Sequence, residues 1–287
     1  MISEDGQKRA SRRKRRFPDS EYNLEEGGFE AVGSLELFDL SGKVAIVTGG
    51  SRGIGFAISE GLASAGAVNV IADIVVEQGE EATKKIEAHG FKAKSIPVDV
   101  SKRDSVETLV SQTLKDFGHI DILVNCAGII LRKPIEEVTD EEWNSMMDVN
   151  LRGVFLCSQI VGREMIKRRQ GKIISISSNI SQVLQPLRGV YAITKAGVSQ
   201  LTKVMALEWA SYDINVNAIA PAPTMTDLNK KYFEDHPEDL KERIRSIPLG
   251  RLGDPKDYVG MAILLASKAS DFITGQTVFV DGGSILI

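Results

Sequence analysis

Between residues 43 and 280, short apolar, β-branched runs alternate with longer segments of helical periodicity, and no other feature of the chain restricts its fold as severely. The runs lie at about 43–48 (KVAIVT), 68–72, 93–98, 121–125 (DILVN), 172–177 (KIISIS), 214–219 (INVNAI) and 277–280. Helical patterns separate them at about 54–65, 77–88, 103–117, 140–167, 192–210 and 255–267. A strand followed by a helix of this length does not fold back as a hairpin partner. It crosses over in a right-handed sense and joins the sheet in parallel. The expected fold class is therefore α/β, a doubly wound parallel sheet with helices on both faces. No repeat or break in composition divides residues 39–287, so they are expected to form a single domain. Residues 220–255, which hold Pro221, Pro223, Pro237 and Pro248, read as an irregular segment.

The first run passes into Thr48-Gly49-Gly50-Ser51-Arg52-Gly53-Ile54-Gly55. Glycines at 49, 53 and 55 allow a sharp turn and a close backbone approach to a pyrophosphate. They would also deliver that phosphate to the free N–H groups opening the next helix. In this position the turn predicts a Rossmann-type dinucleotide site. Asp73 closes the second run, 18 residues after Gly55. A carboxylate there would accept hydrogen bonds from both adenosine-ribose hydroxyls and repel a 2′-phosphate, which favours NAD over NADP. Arg52 argues the other way, since a guanidinium in the glycine turn could meet that phosphate.

Tyr191 and Lys195 are four residues apart, which is one helical turn. A phenol with an ordinary pKa of about 10 is a poor acid–base catalyst near neutrality, and a fixed ammonium would draw it down. The pair gains weight from Ser178, thirteen residues upstream and just beyond a predicted strand.

Together, Thr48-Gly-x-x-x-Gly-x-Gly55, the segment Asn125-Cys126-Ala127-Gly128, Asn150, Ser178 and Tyr191-x-x-x-Lys195 resemble the short-chain dehydrogenase/reductase family in order and spacing. The likeness covers about residues 38–287. It departs from the family pattern at Cys126, where a second asparagine is usual, and at Ala222, where glycine is usual. The resemblance implies that Tyr191 is the general acid–base and that Lys195 lowers its pKa and holds the nicotinamide ribose. It implies that Ser178 binds the substrate oxygen and that Asn150 holds a water linking Lys195 to solvent. The implied cofactor set is Gly49, Ser51, Arg52, Gly53, Ile54, Gly55, Asp73, Asp99, Val100, Asn125, Ala127, Gly128, Tyr191, Lys195, Pro221, Thr224 and Thr226. Asp99 would lie against the adenine, Thr226 near the carboxamide, and residues 224–250 would cover the substrate. The resemblance also implies homotetramers, built partly through helices in 140–167.

The segments 128–134 (GIILRKP) and 214–221 (INVNAIAP) look most like the sugar-acid branch of that family. Arg132 and Arg188 are candidates for a substrate carboxylate, against the plain alternative of two surface arginines. Other readings are a 3-oxoacyl-thioester reductase and a dinucleotide-binding regulator without turnover. The net charge of −4 argues against a nucleic-acid partner. Two cysteines without a metal-ligand spacing predict no metal site and a reducing, cytoplasmic setting. No apolar run is long enough for a membrane span, and no leader is read at the N-terminus. Residues 1–38 differ from the rest: seven Lys/Arg fall within 8–16, an acidic stretch follows, and apolar periodicity is missing. That is the pattern of a disordered extension, with an anion- or import-directed basic patch as the alternative.

Overall fold

The computed structural model describes residues 35–286, which belong to one compact unit. Most of the predicted 1–38 extension thus lies outside the described residues; within them, Glu36–Phe38 form one 3-10 turn. The expected alternation is present as seven strands: β1 Val44–Thr48, β2 Val68–Asp73, β3 Ala93–Pro97, β4 Ile122–Asn125, β5 Gly171–Ile176, β6 Ile214–Pro221 and β7 Thr277–Val280. They form one parallel sheet in the order β3-β2-β1-β4-β5-β6-β7. Strand order reverses between β1 and β4, where Thr48 pairs with Ala72 on one side and Asn125 on the other. The crevice beyond the carboxyl ends of these strands is where a doubly wound sheet binds its ligand.

The central strands are apolar along their length because both faces are covered. All five residues of β1 and all four of β4 are buried. Alternate β1 residues serve opposite layers, as the two-residue period of a strand requires. Val44 and Ile46 pack with the helices α3 (Arg103–Phe117), α5 (Gly153–Arg168) and α6 (Gly189–Trp209). Ala45 and Val47 pack with α1 (Gly53–Ser64) and α9 (Val259–Ala266). The helix α2 (Val76–Ala88) adds Ala82 and Ile86 against Ile71 of β2. Each large side chain buried this fully contributes roughly 1.5–3 kcal/mol, so the platform under the crevice is firmly held.

Two stretches differ from the sequence reading. The helix expected over 140–167 is interrupted: α4 (Asp140–Met147) passes through a π-helical segment, Asp148–Arg152, before α5 begins. Second, the region read as irregular contains the helices α7 (Asp227–Asp235) and α8 (Pro237–Arg245). Pro237 misled there, because a proline in the first turn of a helix lacks only an N–H that would have no partner.

Candidate active site

A cleft of about 290 Å³ opens at the reversal point, above the ends of β1 to β5. Its floor depends on two glycines. Gly49 has φ of +64°, and a Cβ there would stand 2.8 Å from the Ala127 Cα. A Cβ on Gly55 would fall on the Gly49 carbonyl oxygen. Only glycines let the turn after β1 fold this closely under α1, leaving the first N–H groups of α1 open to the cleft. This cradle of backbone donors fits a pyrophosphate.

Carboxylates stand at the same end. The Asp73 Oδ2 accepts from the Ser51 hydroxyl at 2.5 Å and the Ser51 N–H at 3.3 Å, while Oδ1 accepts from the Val75 N–H. Asp99 accepts from the Ser101 N–H and hydroxyl. Arg52 is exposed on the cleft rim.

At the other end, Tyr191 and Lys195 occupy the first turns of α6. Burial pushes the Tyr191 phenol up to about 12, against the opposing pull of the Ser178 hydroxyl and the Arg188 and Arg132 charges. Lys195 is 5 % exposed and donates to the Ile176 carbonyl at 2.6 Å, with Nζ 5.7 Å from the Tyr191 ring centre. Burial lowers it to about 8. At Tyr191 the cations that oppose the effect of burial are the two arginines. Ser178 lies two residues beyond β5, its hydroxyl accepting from the Ile180 N–H and donating to Asn179.

The side chain of Asn150 is fully buried in the π segment. It accepts from the Ile129 N–H at 2.8 Å and donates to the Ile129 carbonyl at 2.9 Å, with Thr194 at 3.4 Å. The break in the helix thus joins the loop after β4 to α6.

Of the predicted cofactor residues, Gly49, Arg52, Gly53, Ile54, Gly55, Asp73, Asp99, Val100, Ala127, Gly128, Tyr191, Lys195 and Thr226 line the cleft. The other four, Ser51, Asn125, Pro221 and Thr224, are not among the residues that line it. Ser51 caps Asp73, and Asn125 is buried, donating to Ser158 and Ser175. Pro221 pairs with Val280 at the end of β6. The Thr224 hydroxyl is engaged by the Ala222 carbonyl and the Tyr258 hydroxyl. The two departures from the family pattern are accommodated. Ala222 is not among the residues with positive φ, so its Cβ meets no backbone strain. Cys126 donates its N–H to Thr48, and burial raises its thiol to about 11, keeping it neutral.

Arg188 is buried and Arg132 partly buried. The Lys133 N–H donates to the Leu187 carbonyl at 2.8 Å, which brings their two loops together. Leu187 sits at φ +64°, a strained conformation for a branched side chain, immediately before Arg188. Arg188 is 8 % exposed and its buried Nη2 has no partner. Arg132 donates to Asn229 at 2.6 Å and lies 3.9 Å over the Tyr232 ring. Sequence reasoning missed Asn229 and Tyr232 because it assigned no helix to their segment. It also missed Ile74, directly after β2, and Ile129, in the loop after β4, exposed apolar residues that face the cleft. Among the described residues, no group of side chains could hold a metal ion, and no helix is long and apolar enough to cross a membrane.

Comparison with known proteins agrees with this architecture. The family described as enoyl-(acyl carrier protein) reductase, of the short-chain dehydrogenases, matches residues 49–284. The 5-keto-D-gluconate 5-reductase of Escherichia coli K12 is 40 % identical over 251 residues, covering 88 % of this chain and 98 % of the relative. The NAD-dependent glycerol dehydrogenase of Listeria innocua is 38 % identical over 249 residues, covering 86 % and 95 %. A gluconate 5-dehydrogenase from Burkholderia cenocepacia J2315, solved in complex with NADP and tartrate, superposes with a TM-score of 0.85 at 40 % identity, covering 88 % and 99 %. With this fold, this cleft and these relatives, the chain belongs to the short-chain dehydrogenase/reductase family of NAD(P)-binding oxidoreductases.

Proposed function

We propose that the protein interconverts a secondary alcohol and a ketone on a sugar acid, using NAD. The observation that carries this reading is the pair Arg132 and Arg188. Two guanidiniums drawn into the protein beside Tyr191, each with an unpartnered buried nitrogen, are expensive to desolvate unless an anion meets them. A sugar-acid carboxylate supplies that anion, in keeping with the gluconate chemistry in two relatives' names.

The nicotinamide, when bound, supplies the hydride chemistry. In reduction, Tyr191 gives its phenolic proton to the substrate oxygen; in oxidation it takes the hydroxyl proton back. Its raised pKa keeps the proton in place at neutral pH, which suits the reductive direction. Ser178 hydrogen-bonds the same oxygen, Lys195 binds the ribose, and Asn150 fixes the loop that the substrate lies against. Asp73 takes the adenosine-ribose hydroxyls, which underlies the preference for NAD, and α7 and α8 cover the substrate. Half-exposed apolar side chains on α5 and α6, Phe155, Val204 and Leu207, are the faces we assign to contacts between copies in a homotetramer.

A panel offered with NAD or NADH tests the reading: gluconate, 5-ketogluconate, glucitol, glycerol and a 3-oxoacyl thioester. Sugar acids should be turned over with the highest kcat/KM. Preferential turnover of the neutral polyols or of the thioester would overturn the assignment.

A further inference from the structure

Arg132 and Arg188 are not alone. The covering helix α8 brings Asp239 and Arg243 into the same place, with side chains only 20 % and 16 % exposed and 3.3 Å apart. The Asp239 carboxylate and the Arg243 charge both act on Arg132 and on Arg188, and Asp239 also faces the Tyr232 phenol. The group therefore holds three guanidiniums against one carboxylate. Its hydrogen bonding is unsaturated on both sides: Arg132 Nε, Arg188 Nη2 and Arg243 Nε lack acceptors, and Asp239 Oδ2 lacks a donor.

A well-made structural ion cluster would match these groups to one another, because an unmatched buried polar atom is costly. Here donors and an acceptor remain unmatched within one small volume, beside the proposed acid–base residue. Such an arrangement suits a group that has two occupants in turn.

We propose that Asp239 is a resident carboxylate which neutralises the arginines between turnovers, and that the substrate carboxylate displaces it to bind Arg188, Arg132 and Arg243 together. Arg243 is then the third arginine of the anion site, carried by the covering helix. Asp239 sets specificity by competition: a ligand must bring a negative charge to take its place, and a neutral polyol cannot. Asp239 and Arg243 lie on successive turns of α8, so movement of that helix withdraws the carboxylate and repositions the guanidinium in one step. The inference rests on the sugar-acid reading, but its anion site can be tested without turnover.

The test uses the full chain with NAD bound and compares Asp239→Asn, Arg243→Gln and the double variant. KM is measured for gluconate and for glucitol. Tartrate, a dicarboxylate probe that requires no chemistry, is titrated calorimetrically. Asp239→Asn should lower both the gluconate KM and the tartrate Kd by roughly tenfold, as expected for removing a partly screened competing charge. Arg243→Gln should raise both by about 10–150-fold, the range for one charge-assisted bond. The glucitol KM and the NAD Kd should move in neither variant. An Asp239→Asn variant that binds tartrate no better or worse than wild type, at an unchanged Tm, would overturn the proposal by making Asp239 a structural partner of Arg243. Equal effects of Arg243→Gln on gluconate and glucitol would overturn it too. If gluconate is not turned over while tartrate follows the expected order, the anion site stands and only the sugar-acid reading fails.

Discussion

Replacing Asp73 with alanine should invert the choice between NAD and NADP. The carboxylate lies at the end of β2 on the cleft lining, with one oxygen on Ser51 and the other on the Val75 N–H. Two ribose hydroxyls bound there would together be worth roughly 1.5–3 kcal/mol, so NAD should bind about 10–150-fold more weakly without them. NADP should respond in the opposite sense. A carboxylate about 4 Å from a doubly charged 2′-phosphate, at a water-exposed rim, is repelled by about 2 kcal/mol, or about 30-fold. Arg52 stands exposed on the same rim and would then meet the phosphate unopposed. The ratio of the two affinities should therefore move by about three powers of ten. Asp73→Asn keeps the Ser51 bond and loses only the charge, so it should fall between wild type and Asp73→Ala. Calorimetric titration of both nucleotides on all three proteins measures this directly. The reasoning is refuted if wild type already prefers NADP, or if the alanine variant leaves the ratio where it was. In either case Arg52 would govern the choice.

Three further outcomes can be measured. Tyr191→Phe should lower kcat by at least about 100-fold, the lower bound for loss of general acid–base catalysis, while the NAD Kd stays within error; a variant retaining a tenth of the activity would contradict the assignment. Arg188→Leu removes a cation that opposes the upward shift of the Tyr191 phenol. The rising limb of kcat/KM against pH for glucitol oxidation, which needs the phenolate, should then move to higher pH, while Arg188→Lys leaves it in place. Gly55→Ala puts a Cβ on the Gly49 carbonyl, backbone against backbone with nothing flexible to yield; a loss of about 3 kcal/mol, or roughly 6–12 °C in Tm, is expected by thermal denaturation.

How far the sequence could be read follows the range of the interactions concerned. The sheet, its direction and the cradle for the dinucleotide come from local patterns: apolar runs, glycine spacing, and a carboxylate at a strand end. Each of these acts on residues nearby in the chain or on an adjacent strand. The π segment at Asp148–Arg152 was not legible, because it reflects a clamp from Asn150 to Ile129, twenty-one residues away. The substrate end was less legible still. Arg132 meets Asn229 across ninety-seven residues, and Arg188 acquires its neighbours through a loop contact between Lys133 and Leu187. The one local clue in the covering segment was Asp239 and Arg243 at a spacing of four, a helical ion-pair pattern that the surrounding prolines obscured.

The charges along the cleft change sign from one end to the other, and the proposed chemistry depends on that order. Asp73 and Asp99 lie at the dinucleotide end, where the cradle presents backbone N–H groups to the pyrophosphate and the exposed Arg52 is the one cationic side chain among the cleft-lining residues of that end. The guanidiniums lie beyond Tyr191, so nucleotide phosphates and a substrate carboxylate do not compete for the same cations. Arg188 and Arg132 are also the charges that favour the Tyr191 phenolate. On the proposed assignment these arginines face a carboxylate in either state, Asp239 at rest and the substrate acid once it binds. Exchange of one carboxylate for the other leaves the net charge beside the phenol unchanged, so an acid substrate gains its anchor without disturbing the proton on Tyr191. A neutral polyol leaves Asp239 in place and meets the same phenol under the same net charge, so acid and polyol differ in how they are held and not in the acid–base chemistry they meet.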